Sequence, residues 1–162
     1  EPDNNGIVAP DPLSYTDSWR VRQYEVDANG HVNNAVYLNY AEEMAVRHAE
    51  ASGFGAAWAA RHGGAWVIRH HEVTYHAPAL AGDQLELTVT VELIRGSRGQ
   101  RRTTVKRGTD GRLLAEIFTE WAWVRATDGR PAPVPRELVE LAAPATAATL
   151  ASRPVSRRRL AG

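Results

Sequence analysis

The residues most able to do chemistry lie in Tyr24-Glu25-Val26-Asp27-Ala28-Asn29-Gly30-His31-Val32-Asn33-Asn34-Ala35-Val36-Tyr37. Asp27 stands where a strand-like segment gives way to a Gly/Asn turn, and Asn33 or Asn34 then offers a cap for a helix. The first N–H groups of a helix lack intrahelical partners and lie at the positive end of its dipole. A carboxylate beside such donors suits hydrolysis of an activated carbonyl. The amides hold the developing oxyanion, and the carboxylate either attacks directly or activates water. The sequence does not choose between those two roles, and a carboxylate here also serves as a plain turn or capping group. His31, in the same turn, either bonds the acid and positions a substrate or shapes the loop. Asn33 counts both as a cap and as a substrate-side candidate. Tyr24 and Tyr37 are candidates for an acyl-pocket wall or for core and interface packing. Glu42 and Glu43 are further carboxylates, on a helix face read as solvated.

These residues need elements to hold them. Tyr15 to Val26 reads as a first strand with imperfect alternation. From Ala35 to Ser52, Tyr37, Tyr40, Ala41, Met44 and His48 recur at helical spacing, with Asn39, Glu42, Glu43, Arg47 and Glu50 on the other side. Such a helix is roughly 27 Å long, and Gly53 is a suitable stop. Phe54 to His62 reads as a short second helix. Ala65 to Tyr75 is a strand. Leu85, Leu87, Val89, Val91 and Leu93 alternate strictly with polar residues, which marks a strand with one buried face. Gln100 to Arg107 is a more polar strand, Thr109-Asp110-Gly111-Arg112 a hairpin turn, and Leu113 to Val124 a last long strand. Residues 136–150 read as a short helix. The plan is α+β: one amphipathic helix against a five-stranded antiparallel sheet. One helix covers only part of such a sheet, so dimerisation is expected. The expected organisation is a flexible segment at 1–14, one domain at 15–137, and a partly disordered extension at 138–162 with a mobile Arg157-Arg158-Arg159 tail.

Composition removes several functions. The chain has 162 residues, zero formal net charge and no cysteine. That excludes a thiol nucleophile and Cys-based metal sites, and gives no sign of a nucleic-acid or membrane partner. No run of about 18 apolar residues is present, and no basic-then-apolar leader opens the sequence. With the lack of cysteine, this makes the cytoplasm the expected compartment. His70, His71 and His76 do not have H-E-x-x-H spacing, and on a strand residues 71 and 76 face opposite ways, so no metal site is expected. Gly53-Phe54-Gly55 lacks the third glycine of a dinucleotide loop. No G-x-S-x-G elbow is present.

Arg95, Arg98, Arg101, Arg102, Lys106 and Arg107 concentrate positive charge between residues 95 and 107. They form either a solvated face or a site for the phosphates of coenzyme A, which arginine recognises well. An acidic acyl carrier protein would suit the same patch.

The Asp27 to Leu38 stretch resembles the hotdog-fold thioesterases of the 4-hydroxybenzoyl-CoA thioesterase type. Val73-Thr74-Tyr75-His76-Ala77-Pro78-Ala79-Leu80-Ala81-Gly82-Asp83 resembles that family's Y-x-x-P-x-x-x-G-D entry to its third strand, and Asp110-Gly111-Arg112-Leu113-Leu114-Ala115-Glu116 its hairpin into the last strand. The resemblance spans roughly residues 15–137. It implies a long helix wrapped by a curved sheet, a homodimer or homotetramer with active sites between subunits, and no metal or organic cofactor. It places the catalytic acid on Asp27 and the oxyanion donor at the backbone N–H near Asn34. The activity implied is hydrolysis of an acyl-CoA or acyl-carrier-protein thioester. Two alternatives share the fold: a dehydratase acting on 3-hydroxyacyl thioesters through a His–acid pair, and a non-catalytic acyl-binding protein.

Overall fold

A computed structural model describes residues 11–153. The expected N-terminal lead-in up to residue 10 and the arginine tail lie outside the described residues. In chain order the elements are β1 (Ser14–Arg20), α1 (Val36–Ala51), α2 (Ala56–Arg61), β2 (Gly64–Tyr75), β3 (Gln84–Arg95), β4 (Arg98–Arg107), β5 (Leu113–Arg125), α3 (Arg136–Leu141) and α4 (Ala143–Ser152). The five strands form one antiparallel sheet in the order β1-β3-β4-β5-β2, and α1 packs on β1, β3, β4 and β5. This is the hotdog arrangement expected from the sequence.

The helix forms because Tyr37, Tyr40, Ala41, Met44, Ala45 and His48 bury one stripe against the sheet. It stops where Gly53 turns left-handed at φ 83°. There Phe54 N–H bonds Ala49 O at 2.8 Å and Gly53 N–H bonds Glu50 O at 3.2 Å, the paired bonds of a Schellman cap. Leu85, Leu87 and Val89 on β3, Val105 on β4 and Ile117 on β5 are fully buried beneath α1.

Two readings change. The first strand ends at Arg20 rather than Val26: Val21 N–H makes one last bond in the same register, to Asp83 O at 2.9 Å, before the chain turns away. Gln23–Glu25 then coil into a 3-10 turn that buries Glu25. The helix at 136–150 is two helices. Pro144 lies in the first turn of α4, where a missing N–H costs nothing. Both helices pack on β3. The open edge of β3 beyond β1 is closed by α4: Thr146 Oγ1 accepts from Ile94 N–H at 3.0 Å, and Thr149 hydroxyl donates to Glu92 O. The sheet face away from α1 is polar, with Thr16 bonded to Thr88, Arg102 to Glu92 and His76 to Glu116.

Candidate active site

The loop from Glu25 to Asn33 is a closed clasp. Asp27 N–H bonds His31 O at 2.8 Å, Gly30 N–H bonds Asp27 O at 3.0 Å, and Gly30 takes φ 76°. Asp27 Oδ1 accepts from Asn29 N–H at 2.8 Å and from His31 N–H at 3.2 Å. One carboxylate oxygen therefore does the work of a turn cap, and Oδ2 has no partner among the described residues. The Asp27–His31 contact runs through the backbone amide, not the imidazole. Both residues are exposed in the single chain.

The loop is tied down from three sides. Val32 N–H bonds Ala79 O at 2.8 Å and Asn33 N–H bonds Glu25 O at 2.9 Å, while His31 bridges Leu80. Glu25 is buried, and its side chain is fully engaged. Oε2 accepts from Tyr40 hydroxyl at 2.7 Å and from Arg22 N–H at 2.9 Å, and Oε1 meets Arg22 Nη1 at 3.1 Å. Burial, followed by the Glu25 carboxylate, pushes the Tyr40 hydroxyl well above its usual range. Sequence reading missed Glu25 as the anchor of the loop, because a reversal into a 3-10 turn carries no periodic signal.

At the helix start, Asn33 Oδ1 accepts from Ala35 N–H at 2.9 Å and Asn33 O from Val36 N–H at 2.9 Å. Asn33 thus closes an Asx turn just ahead of α1, whose own N-cap position, Ala35, carries no side-chain cap. Asn34 O accepts from the Tyr75 hydroxyl at 2.7 Å. Among the described residues the Asn34 N–H has no intramolecular acceptor, although the amides on either side of it are bonded. The loop that carries the acid leads directly into this helix start.

Tyr24 is 82% exposed. It lines an open cleft of about 470 Å³ between the 3-10 turn and α1, with Val36, Asn39, Tyr40 and Arg47. Tyr37 is buried in the core, edge-on to Tyr40 and Tyr75, which is the packing alternative for that residue. The arginines do not gather into one patch, because successive strand residues face opposite sides. Arg102 pairs with Glu92 and Arg98 with Glu120 on the outer face, Arg95 is exposed beside the β3–β4 turn, and Arg101 points under α1 to bond Ala45 O and His48 Nδ1. Glu42 and Glu43 are exposed, with Glu43 bonded to Arg47. His71 bonds Thr119 and His76 bonds Glu116. Among the described residues no three His, Asp or Glu side chains gather as metal ligands do, and no helix is long and apolar enough to cross a membrane.

Residues 21–142 match the model of the thioesterase-like superfamily. The chain belongs to that family. This thioesterase-like protein is 30% identical over 99 residues to the long-chain acyl-CoA thioesterase FadM of Escherichia coli, an overlap of 61% of this chain and 74% of that one. Its fold matches the crystal structure of YbaW, a probable thioesterase from Escherichia coli, with a TM-score of 0.70, 25% identity, and coverage of 78% of this chain and 94% of that one. It also matches Slr0204, a 1,4-dihydroxy-2-naphthoyl-CoA thioesterase from Synechocystis, with a TM-score of 0.70, 19% identity, and coverage of 83% and 96%. Family membership makes this protein a thioester hydrolase.

Proposed function

We propose that this hydrolase cleaves an acyl thioester carried by coenzyme A or an acyl carrier protein, with Asp27 as the catalytic acid residue and the Asn34 N–H as oxyanion donor. The observation that carries the reading is the unpaired Asn34 amide. Its own carbonyl is held by Tyr75, and the amides of Asn33, Ala35 and Val36 are all bonded. A free, fixed N–H at the positive end of a helix is what a developing oxyanion needs. Asp27 supplies the second half: Oδ1 is fixed by two backbone amides, which aims the side chain, and Oδ2 stays open to a water or a carbonyl carbon. In the general-base form, water loses its proton to Oδ2 and attacks the thioester carbon. The tetrahedral oxyanion rests on the helix amide, and collapse expels the thiolate. In the nucleophilic form, Oδ2 attacks the thioester carbon and the C–S bond breaks to expel the thiolate; water then cleaves the acyl–Asp27 anhydride, releasing the acid and restoring the carboxylate.

The exposed cleft with Tyr24 and Asn39 lies beside the first turns of α1 and suits the arm that delivers the thioester. In this reading the site lies between two copies of the chain. In support, β2 runs for 12 residues at the sheet rim, with pairing to β5 on one side only. The lack of cysteine accords with action in the cytoplasm.

A panel of acyl thioesters with free-thiol detection, run on wild type and Asp27→Asn, tests the reading. Asparagine keeps an oxygen for the Asn29 and His31 amides, so the loop is retained. Turnover is expected to fall by about 10²–10⁴, the usual contribution of such a group. Equal rates for the two proteins would remove Asp27 from the mechanism.

A further inference from the structure

A polar row crosses the sheet face that α1 covers. His71 on β2 pairs with Thr119 on β5, and Thr119 pairs with Arg101 on β4; His48 reaches down from the helix to Arg101. The row separates two apolar clusters, one built around Tyr37, Leu87 and Ile117 and the other around Trp58, Ile94 and Trp123. Beside it lies a cavity of about 450 Å³ between the C-terminal half of α1 and the sheet. Its walls include Ala45, Ala49, Phe54, Trp66, Val91 and Ile94, and its polar end holds Arg101 and His48.

The protonation of that end follows from its bonds. His48 Nε2 lies 2.8 Å from Pro12 O, which can only accept, so Nε2 carries the proton. His48 Nδ1, 3.0 Å from Arg101 Nη1, is then the acceptor, and the imidazole is neutral. Arg101 is a partly buried cation bonded only to a neutral ring and the Ala45 carbonyl; among the described residues no carboxylate reaches it. Desolvation pushes its pKa down to about 10. A charge withdrawn from water with no counter-ion is costly. Trp121, another wall residue, also holds a buried indole N–H with no acceptor. Glu42 and Glu50 border the cavity from exposed positions, Glu50 bonded to Ala56 N–H at 3.1 Å. None of the residues 24–38 lines it.

We propose that this cavity binds the carboxylate of a molecule with an apolar body, the carboxylate on the Arg101 guanidinium and the body along Ala45, Ala49, Phe54 and Trp66. One guanidinium in mostly apolar walls suits a single negative charge; a phosphate would want more cations. The carboxylate has two sources, a free acid such as the product of hydrolysis, or the far-end carboxylate of a dicarboxylic acyl thioester. The site is separate from the Asp27 loop and does not depend on it.

Calorimetric titration of the full chain with decanoate and with decanol is the test, on wild type, Arg101→Met and Arg101→Lys. Decanoate is expected to bind wild type, to bind Arg101→Lys less well, and to lose about tenfold or more on Arg101→Met, as for hydrogen bonds to a charged group; decanol should bind both alike. No binding of decanoate to wild type, or equal binding to wild type and Arg101→Met, overturns the proposal. Should Arg101→Met not fold, Ala49→Phe fills the cavity and leaves the guanidinium in place, and unchanged decanoate binding by that variant overturns the proposal equally. The source is read from hydrolysis. A fall in kcat/KM on Arg101→Lys for an ω-carboxyacyl thioester but not for the decanoyl thioester identifies the substrate's own carboxylate, and inhibition of wild type by decanoate that Arg101→Lys weakens identifies a free acid. The binding experiment reads the cavity whether or not Asp27 is catalytic.

Discussion

Tyr75, the last residue of β2, donates its hydroxyl to the carbonyl of Asn34 across 2.7 Å. Two residues 41 apart in sequence thereby fix the peptide next to the free amide. Tyr75→Phe removes that bond and leaves the ring edge-on to Tyr37. Stability should fall by only about 0.5–1.5 kcal/mol. Turnover should fall severalfold through kcat rather than KM, because the bond positions the amide and does not touch substrate. Steady-state kinetics beside urea titration separate the two effects.

Asn34 is used through its backbone, so Asn34→Ala should keep activity within about threefold of wild type. Asn33→Ala is different. It deletes the Oδ1 bond to the Ala35 amide, a hydrogen-bond loss of about 0.5–1.5 kcal/mol, and frees the turn before the helix to move. Thiol-release assays on the pair should rank Asn34→Ala well above Asn33→Ala.

Glu25→Ala strips the partner from a buried Tyr40 hydroxyl and from the Arg22 amide. A loss of about 2–3 kcal/mol is expected for bonds to a charged group left unmade. Tyr40→Phe should cost less, since Glu25 keeps Arg22. Denaturation midpoints of the two variants give the order.

Acid should weaken the fold through His48 and His71. Both have pKa values below the ordinary 6.5, chiefly from burial; Arg101 adds to the effect at His48, and His70 adds to it at His71 while Glu42 opposes it. For a histidine with a depressed folded pKa, the unfolded chain takes up protons first. Stability is then complete above about 6.5 and falls as pH drops below it toward the folded value. His48→Gln keeps a donor for Pro12 O and an acceptor for Arg101, and should flatten that slope. Urea midpoints between about pH 7.5 and 5 measure it.

Much of this was legible in the residues because periodicity reports burial. Leu85, Leu87, Val89 and Val91 gave β3 its inner face, and Asp110-Gly111 placed the last hairpin, where Gly111 adopts φ 70°. The helix spacing from Tyr37 to His48 named the stripe that α1 buries. What escaped was non-periodic or long-range. Glu25 reads as one more acid on a strand until the chain coils and turns it inward. Arg101 reads as part of a basic run, although its parity with Thr103 and Val105 on β4 was the available sign that it faces the core. The open edge of β3 and its closure by Thr146 and Thr149 depend on where β1 begins, which no local pattern states.

In the clasp around Asp27, Val32 and Asn33 donate their amides to Ala79 O and Glu25 O, both buried residues, and the Asn34 carbonyl accepts from Tyr75 at the end of β2, so the loop is tethered at three points to the packed body of the fold. Catalysis and architecture should expire together on heating, and the amide protons of Val32 and Asn33 should exchange with solvent as slowly as those of the innermost strands. A surface loop in this protein keeps time with its core.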